Sequence, residues 1–223
     1  MTCDLILPCR DEAAALVDLL PRVPDTFSVI IVDNGSSDGT ADVARRLGAR
    51  VVSEPRPGYG AAVHAGLVAA QSEFLAVMDG DGSMDPADLL PLLDEVASGR
   101  ATMAVGRRRP VARGVWPWHA RLGNRLVLAV LRRRLGREAP AGFTVRDIAP
   151  MRVCRREDLV RLDVRDRRFG YPVELLQKAS RAGWRITELD VGYHPRARGT
   201  RSKVSGSVVG TVRTARDFWK VLA

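Results

Sequence analysis

The stretch VMDGDGSMDP, residues 77–86, carries three aspartates, and two of them, Asp79 and Asp81, are separated by a single glycine. Carboxylates at that spacing, with glycines at 80 and 82 to let the backbone turn, can aim their oxygens at one point. A hard divalent cation such as Mg2+ or Mn2+ takes oxygen ligands and commonly links one or two protein carboxylates to the phosphates of a substrate. An aspartate-glycine turn with helix-capping duties accounts for the same residues without a metal, and Asp85 before Pro86 suits a cap. Two further stretches bear on the choice. In IIVDNGSSDGT, Asp33 closes an apolar run and is followed by small residues, Gly35 among them, that let a ligand approach the backbone. A carboxylate there can accept hydrogen bonds from a base, while Asp38 suits the cap of the next helix. EPRPGYGAA places Arg56, Gly58 and Gly60 just ahead of a helical stretch, and a helix N-terminus favours an anionic group.

These residues need elements to hold them. Apolar runs at 4–8, 27–33, 50–54, 74–79 and 102–106 read as strands, and EAAALVDLL, ADVARRL, GAAVHAGLVAAQ and PADLLPLLDEVAS between them read as helices. The alternation predicts an α/β fold, a mostly parallel twisted sheet with helices on both faces and a Rossmann-like nucleotide-binding half. Ligands of such sheets sit at the carboxyl ends of the strands, so Asp33 and Asp79 should face one nucleotide crevice. Beyond residue 110 the pattern predicts a helix over 118–135, a strand running into a short helix over 151–162, a helix over 171–183 and a strand over 184–195. RARGTRSKVSG follows as a basic loop, then an amphipathic helix to the end of the chain with Phe218 and Trp219 on its apolar side. With no internal repeat and no long linker, 1–110 and 111–223 are expected to be the two halves of a single compact domain.

The formal net charge of +9 hides a division: residues 1–99 hold 6 Lys+Arg against 16 Asp+Glu, net −10, and the remainder holds 29 against 10, net +19. A basic half attracts an anionic substrate, a membrane surface or nucleic acid. An aromatic content of 5% and the lack of any recognition motif argue against nucleic acid. The first turn reads PCRDEA, which excludes the G-x-G-x-x-G of a dinucleotide oxidoreductase and the glycine-rich loop of a sugar nucleotidyltransferase. Cys3, Cys9 and Cys154 form no C-x-x-C pair, and His64, His119 and His194 lack metal-ligand spacing. With no leader pattern and no apolar run near the ~20 residues of a membrane span, the expectation is a cytoplasmic chain, with possible peripheral contact on the inner face of the membrane.

LILPCRDEAAAL, IIVDNGSSDGTADVA, EPRPGYGAAVHAGL and AVMDGDGSMDP, in that order, resemble the donor-binding half of family 2 glycosyltransferases, which have the GT-A fold. GRRRP, DIAPMRV, FGYPVELLQKA and RSKVSG are similar to the dolichol-phosphate mannosyltransferase branch in particular. The resemblance implies an inverting transfer from a nucleotide sugar, a GDP- or UDP-sugar, to a polyprenyl phosphate or other phosphorylated acceptor. It implies that Pro8, Arg10, Asp11, Glu12 and Asp33 hold the nucleoside, that Asp79 and Asp81 hold the metal, and that Arg107, Arg121 and the loop bearing Arg201 and Lys203 meet the acceptor. Two positions depart from the branch: Ser83 stands where glutamine is frequent, and DIAPMR lacks the usual glycine, which leaves the role of Asp147 open. A phosphate monoester is already ionised and needs little help from a base, whereas a hydroxyl acceptor needs one, with Asp147 the first candidate. A soluble hydroxyl acceptor, or a non-catalytic nucleotide-sugar-binding relative, is the alternative. The terminal helix suits either a membrane interface or the protein's own core.

Overall fold

The computed structural model describes residues 2–136, 138, 144–197, 216–218 and 220–221. Apolar runs become strands β1 (Cys3–Cys9), β2 (Phe27–Asp33), β3 (Arg50–Ser53) and β4 (Phe74–Val77), joined by helices α1 (Ala13–Leu19), α2 (Thr40–Arg46) and α3 (Tyr59–Ala69). Helix α4 (Leu89–Ala97) leads into β5 (Met103–Pro110), and α5 (Trp118–Leu135), β6 (Met151–Arg155), α6 (Arg156–Leu162), α7 (Tyr171–Arg181) and β7 (Ile186–Tyr193) complete the described elements. The seven strands form one sheet in the order β3-β2-β1-β4-β6-β5-β7. Strand β6 runs antiparallel to both its neighbours, β4 and β5, and the remaining pairs are parallel. A strand from the second half of the chain therefore sits between two strands from the first.

Side-chain alternation divides the core into two layers. Ile6 of β1 joins Leu67 of α3, Leu128 and Leu131 of α5, Leu159 of α6 and Leu176 of α7 on one face, while Leu5 and Leu7 join Leu16 of α1, Ala44 of α2 and Leu92 of α4 on the other. Every residue of β1 except Pro8 is buried, as expected for the centre of a parallel sheet, and its one charged residue, Asp4, accepts from the Gln71 and Ser72 amides.

The sequence pattern places β4 two residues too long, since pairing stops at Val77 and leaves Met78 and Asp79 to start the turn. It places the end of β5 four residues too early, at 106. Arg107, Arg108 and Arg109 continue the ladder, each paired in register with β7 opposite Asp190, Val191 and Gly192. Charged residues look like a strand end in sequence, but at the sheet's border they extend the strand with carboxylates beside them. Pro86 opens a short 3-10 turn ahead of α4, with the Asp85 carboxylate accepting from the Ala87 amide as expected of a cap.

Candidate active site

Strands β1, β2, β3 and β4 point their carboxyl ends to one edge, where their loops fasten to one another before any ligand is involved. After β1, the Asp11 carboxylate accepts from the Ser37 amide and hydroxyl, the Glu12 amide donates to the Thr40 hydroxyl and the Ala13 amide donates to Asp38. Asp38 also accepts from the Thr40 amide at 3.0 Å, so it serves the start of α2 as expected and clamps α1 as well. Asp33 closes β2 and accepts from the Ser36 amide at 3.1 Å, with Gly35 in the left-handed conformation between them.

Asn34 connects this layer to the next. Its side-chain nitrogen donates to the carbonyls of Glu54 at 2.8 Å and Arg56 at 2.7 Å, and its oxygen accepts from the Gly58 amide at 2.8 Å. The sequence reading passed over Asn34 in favour of Asp33 and Gly35. An asparagine that carries both donor and acceptor between two aspartate-rich turns is the available signal.

The turn after β4 rests on β1. A Cβ at Gly80 would stand 2.5 Å from the Cys9 sulfur, so only glycine lets the turn lie this close to the first strand. The two flanking carboxylates are thereby fixed at the mouth of the crevice. Asp81 is buried, accepts from the Ser83 amide at 2.9 Å and pairs with Arg196 at 2.8 Å. Burial and the neighbouring charge of Asp81 push the Asp79 carboxyl up to about 6, against the pull of Arg196, Arg108 and Arg152. Burial opposes the charge on Arg196, but Asp81 and Asp79 outweigh it and hold the guanidinium above its ordinary value.

One cleft gathers these groups. It encloses about 930 Å³, open mouth included, and is lined by Pro8, Arg10, Glu12, Asn34 and Gly58 from the first loops, by Asp79, Gly80 and Asp81, and by Arg168, Phe169 and Arg196 from the second half. Of the residues expected at the donor, Asp11, Asp33, Gly35, Arg56 and Gly60 do not line the cleft but stand in the loops that build it. The Gly60 amide donates to the Arg168 carbonyl, and a Cβ at Gly58, where φ is +149°, would stand 2.1 Å from the Arg167 carbonyl oxygen. The glycine-rich turn thus admits the segment that delivers Arg168.

The acceptor-side expectations fare differently. Arg107 is bound to Asp190 at 2.5 Å, its register partner on β7, and does not reach the cleft. Arg121 lies exposed on α5, and Arg201 and Lys203 lie outside the described residues. Asp147 is buried and receives three hydrogen bonds from Arg108, at 2.9 Å from the backbone amide, 2.9 Å from Nε and 2.6 Å from Nη2. Arg108 in turn stacks on Trp116 at 4.1 Å. Asp147 is thus held by Arg108, and it is absent from the cleft wall. Three arginines line it: Arg10, expected at the donor, Arg196 from the basic loop, and Arg168, to which the sequence reading assigned no role.

The carboxylate pair fits a divalent cation. Its donor atoms are oxygens, its like charges already raise the Asp79 carboxyl, and a positive group, Arg196, already stands against Asp81. Among the described residues no third histidine, cysteine, aspartate or glutamate completes a protein cage, so remaining ligands would come from phosphates and water.

The family model described as glycosyl transferase family 2 matches residues 4–162. The chain belongs to glycosyl transferase family 2. It is 52% identical over 219 residues to an uncharacterized glycosyltransferase of Mycobacterium tuberculosis, covering 98% of this chain and 97% of that one. It is 31% identical to the polyprenol monophosphomannose synthase of Mycolicibacterium smegmatis, covering 91% of this chain and 81% of that one. In fold it is similar to the glucosyl-3-phosphoglycerate synthase of Mycobacterium tuberculosis, solved with Mn2+, uridine diphosphate and glucosyl-3-phosphoglycerate, with a TM-score of 0.75, 23% identity and coverage of 99% of this chain and 78% of that one. The seven-stranded sheet of this glycosyltransferase is thus the GT-A fold expected from its motifs.

Proposed function

We infer that this glycosyltransferase moves a sugar, with inversion, from a nucleotide-sugar donor to a phosphorylated acceptor of the polyprenyl phosphate class. The observation that carries the reading is the meeting in one cleft of the Asp79 and Asp81 carboxylates with the guanidinium groups of Arg168 and Arg196. The carboxylates suit a metal on a diphosphate, and the guanidinium groups suit phosphate oxygens. The similarity to the polyprenol monophosphomannose synthase supports the lipid-phosphate acceptor, and the Mn2+ and uridine diphosphate in the solved neighbour support a metal-borne donor.

Asp79 and Asp81 would hold Mg2+ or Mn2+, which when bound supplies positive charge to the departing nucleoside diphosphate. The loops at Pro8–Glu12 and Asp33–Asn34, already fastened together, bind the nucleoside with little reorganisation. Arg168 and Arg196 hold phosphate oxygens in line with the sugar and exclude the cost of bringing two anions together. No residue has to remove a proton, because a phosphate monoester is substantially dianionic near pH 7. That agrees with Asp147, the base expected for a hydroxyl acceptor, being paired with Arg108 and away from the cleft wall.

The test offers UDP- and GDP-sugars with a short-chain polyprenyl phosphate, with Mg2+ or Mn2+, and follows nucleoside diphosphate release and the glycosyl lipid. The expected product is an acid-labile glycosyl phosphate of inverted configuration. Transfer confined to hydroxyl acceptors without a phosphate would overturn the acceptor assignment.

A further inference from the structure

Two amphipathic helical segments flank the acceptor side, and the structure treats them in opposite ways. In the terminal segment, Phe218 and Val221 pack against the protein's own core, and buried Asp217 pairs with Arg168 at 3.1 Å. Phe218, on the apolar side that suits either a membrane or the protein's own core, is therefore taken by the core. Helix α5 buries Asn124, Leu128, Leu131 and Leu135 but leaves a second apolar stripe uncovered: Trp118 is 71% exposed, Leu122 46% and Leu126 59%. These three recur at i, i+4 and i+8 and so share one side of the helix.

We propose that this outward stripe of α5 docks on an anionic lipid bilayer, with Trp118, Leu122 and Leu126 entering the interface and the neighbouring arginines meeting headgroup phosphates.

Charge complementarity selects this occupant. Beyond the arginines of β5, which pair with Asp147, Glu188 and Asp190, the sequence from Arg113 to Arg137 has seven arginines and no aspartate or glutamate. Arg121 and Arg125 border the stripe, and Arg113, Arg133 and Arg134 are likewise exposed. Exposed tryptophan and leucine bordered by arginine is the composition of a helix lying in a membrane interface. No helix among the described residues is long and apolar enough to cross a membrane, so the contact is peripheral.

Position selects it as well. Strand β5 is parallel to β4, since both run antiparallel to β6, so its carboxyl end lies on the edge where the cleft opens. Trp118, eight residues beyond the end of β5, begins α5 from that edge. A helix docked there would bring the cleft close to an acceptor phosphate held at the bilayer surface. The inference rests on the polyprenyl-phosphate reading for its purpose, though not for the surface itself.

The experiment sediments the full chain with phosphatidylcholine vesicles, with and without phosphatidylglycerol, at low and high salt. A Trp118→Ser, Leu122→Asn, Leu126→Asn variant is run beside it, with thermal unfolding as the check on its fold. Wild type is expected to pellet with anionic vesicles, less so at high salt, and the variant to partition about tenfold more weakly with an unchanged melting temperature. Absence of wild type from the anionic pellet, or equal binding by a folded variant, overturns the proposal. A wild-type dimer that the variant makes monomeric, without vesicle binding, assigns the face to a second copy and also overturns it. Turnover of a short-chain polyprenyl phosphate free in solution separates the two readings: vesicle binding without such turnover removes the acceptor assignment and leaves the docking surface supported.

Discussion

The two walls of the cleft are built by different means. On the donor wall, loops follow directly from parallel strands and are fixed by short hydrogen bonds among themselves, as when Asn34 joins the ends of β2 and β3 to the start of α3. On the wall proposed for the acceptor, charge is carried by long guanidinium side chains whose directions depend on carboxylates far away in sequence: Arg168 on Asp217, Arg196 on Asp81. The first wall is organised before substrate arrives. The second is a set of ion pairs, and under the proposed function each arginine would trade a carboxylate for a phosphate.

The sharpest way to break the comparison is at the residue both walls share. Asp81 holds the turn through the Ser83 amide and faces Arg196 from the opposite wall. Asp81→Asn is expected to lower kcat by about 10²–10³ or more, the size of effect seen when a group that stabilises developing charge is removed. The melting temperature should change little, because the amide oxygen still accepts from Ser83. Near-normal turnover in steady-state assays, or full wild-type activity in excess chelator, would remove the metal assignment.

On the donor wall alone, Asn34→Ala and Asp33→Ala sharpen the contrast between holding the loops and holding the ligand. Asn34→Ala leaves two carbonyls and an amide without their partner and should cost ~1–3 kcal/mol in chemical unfolding. Asp33 stands just behind the cleft wall, so if it makes the proposed base contact when a nucleotide binds, Asp33→Ala should instead weaken nucleoside diphosphate binding by ~1–3 kcal/mol in calorimetry, with a smaller effect on stability. If Asp33→Ala leaves affinity unchanged, the base contact belongs to another residue of these loops.

The same contrast explains what could be read from sequence. Donor-side motifs were legible because each lies at a strand end, and strand ends in a β-α-β pattern converge on one edge whatever the details. The mostly parallel sheet and both layers of helices followed from periodicity, the carboxylate pair from its spacing, and the GT-A fold from the resemblance that the ordered motifs carry. The acceptor wall was not legible. Arg107 looked like a ligand and is instead tied to Asp190, 83 positions away, while Asp147 looked like a base and is tied to Arg108, 39 positions away. Periodicity says nothing about which arginine finds which carboxylate, and that pairing decides which charges remain for substrate. The terminal helix left two readings open for a related reason: an amphipathic pattern shows that a face is apolar, but not what covers it.

Titration offers a milder perturbation. The Asp79 carboxyl is raised from 3.8 to about 6, so the folded protein binds that proton more tightly than the unfolded chain does. Its ionisation therefore destabilises the metal-free fold as pH rises from about 4 through 6, and lowering the pH across that window relieves the strain. Cation binding has the opposite sense, since a protonated Asp79 is a poor ligand. The rise in melting temperature produced by Mn2+ should thus be largest above pH 7 and fade below pH 6. In Asp79→Asn the increment should be small at every pH. A wild-type increment that is flat from pH 5 to 8 would dissociate Asp79 from the cation.

The smallest expected effect tests whether the acceptor wall's ion pairs really exchange. Arg196 touches Asp81 through its guanidinium, but the segment carrying it is also fastened by backbone bonds, from the Ala197 amide to the Asp81 carbonyl and from the His194 amide to the Ser83 carbonyl. Arg196→Gln should therefore leave the segment in place while removing a positive charge that stands against the carboxylate pair. If that charge competes with the cation, Mn2+ should bind the nucleotide-free variant severalfold more tightly, about 1 kcal/mol for a partly exposed pair. If the guanidinium then moves to the phosphates, uridine or guanosine diphosphate should bind the variant more weakly at saturating Mn2+. Opposite shifts in the two calorimetric titrations would mark an exchanging pair. Equal weakening of both, or no change in either, would make the contact a fixed brace of the donor wall and remove the distinction between the two walls at this position.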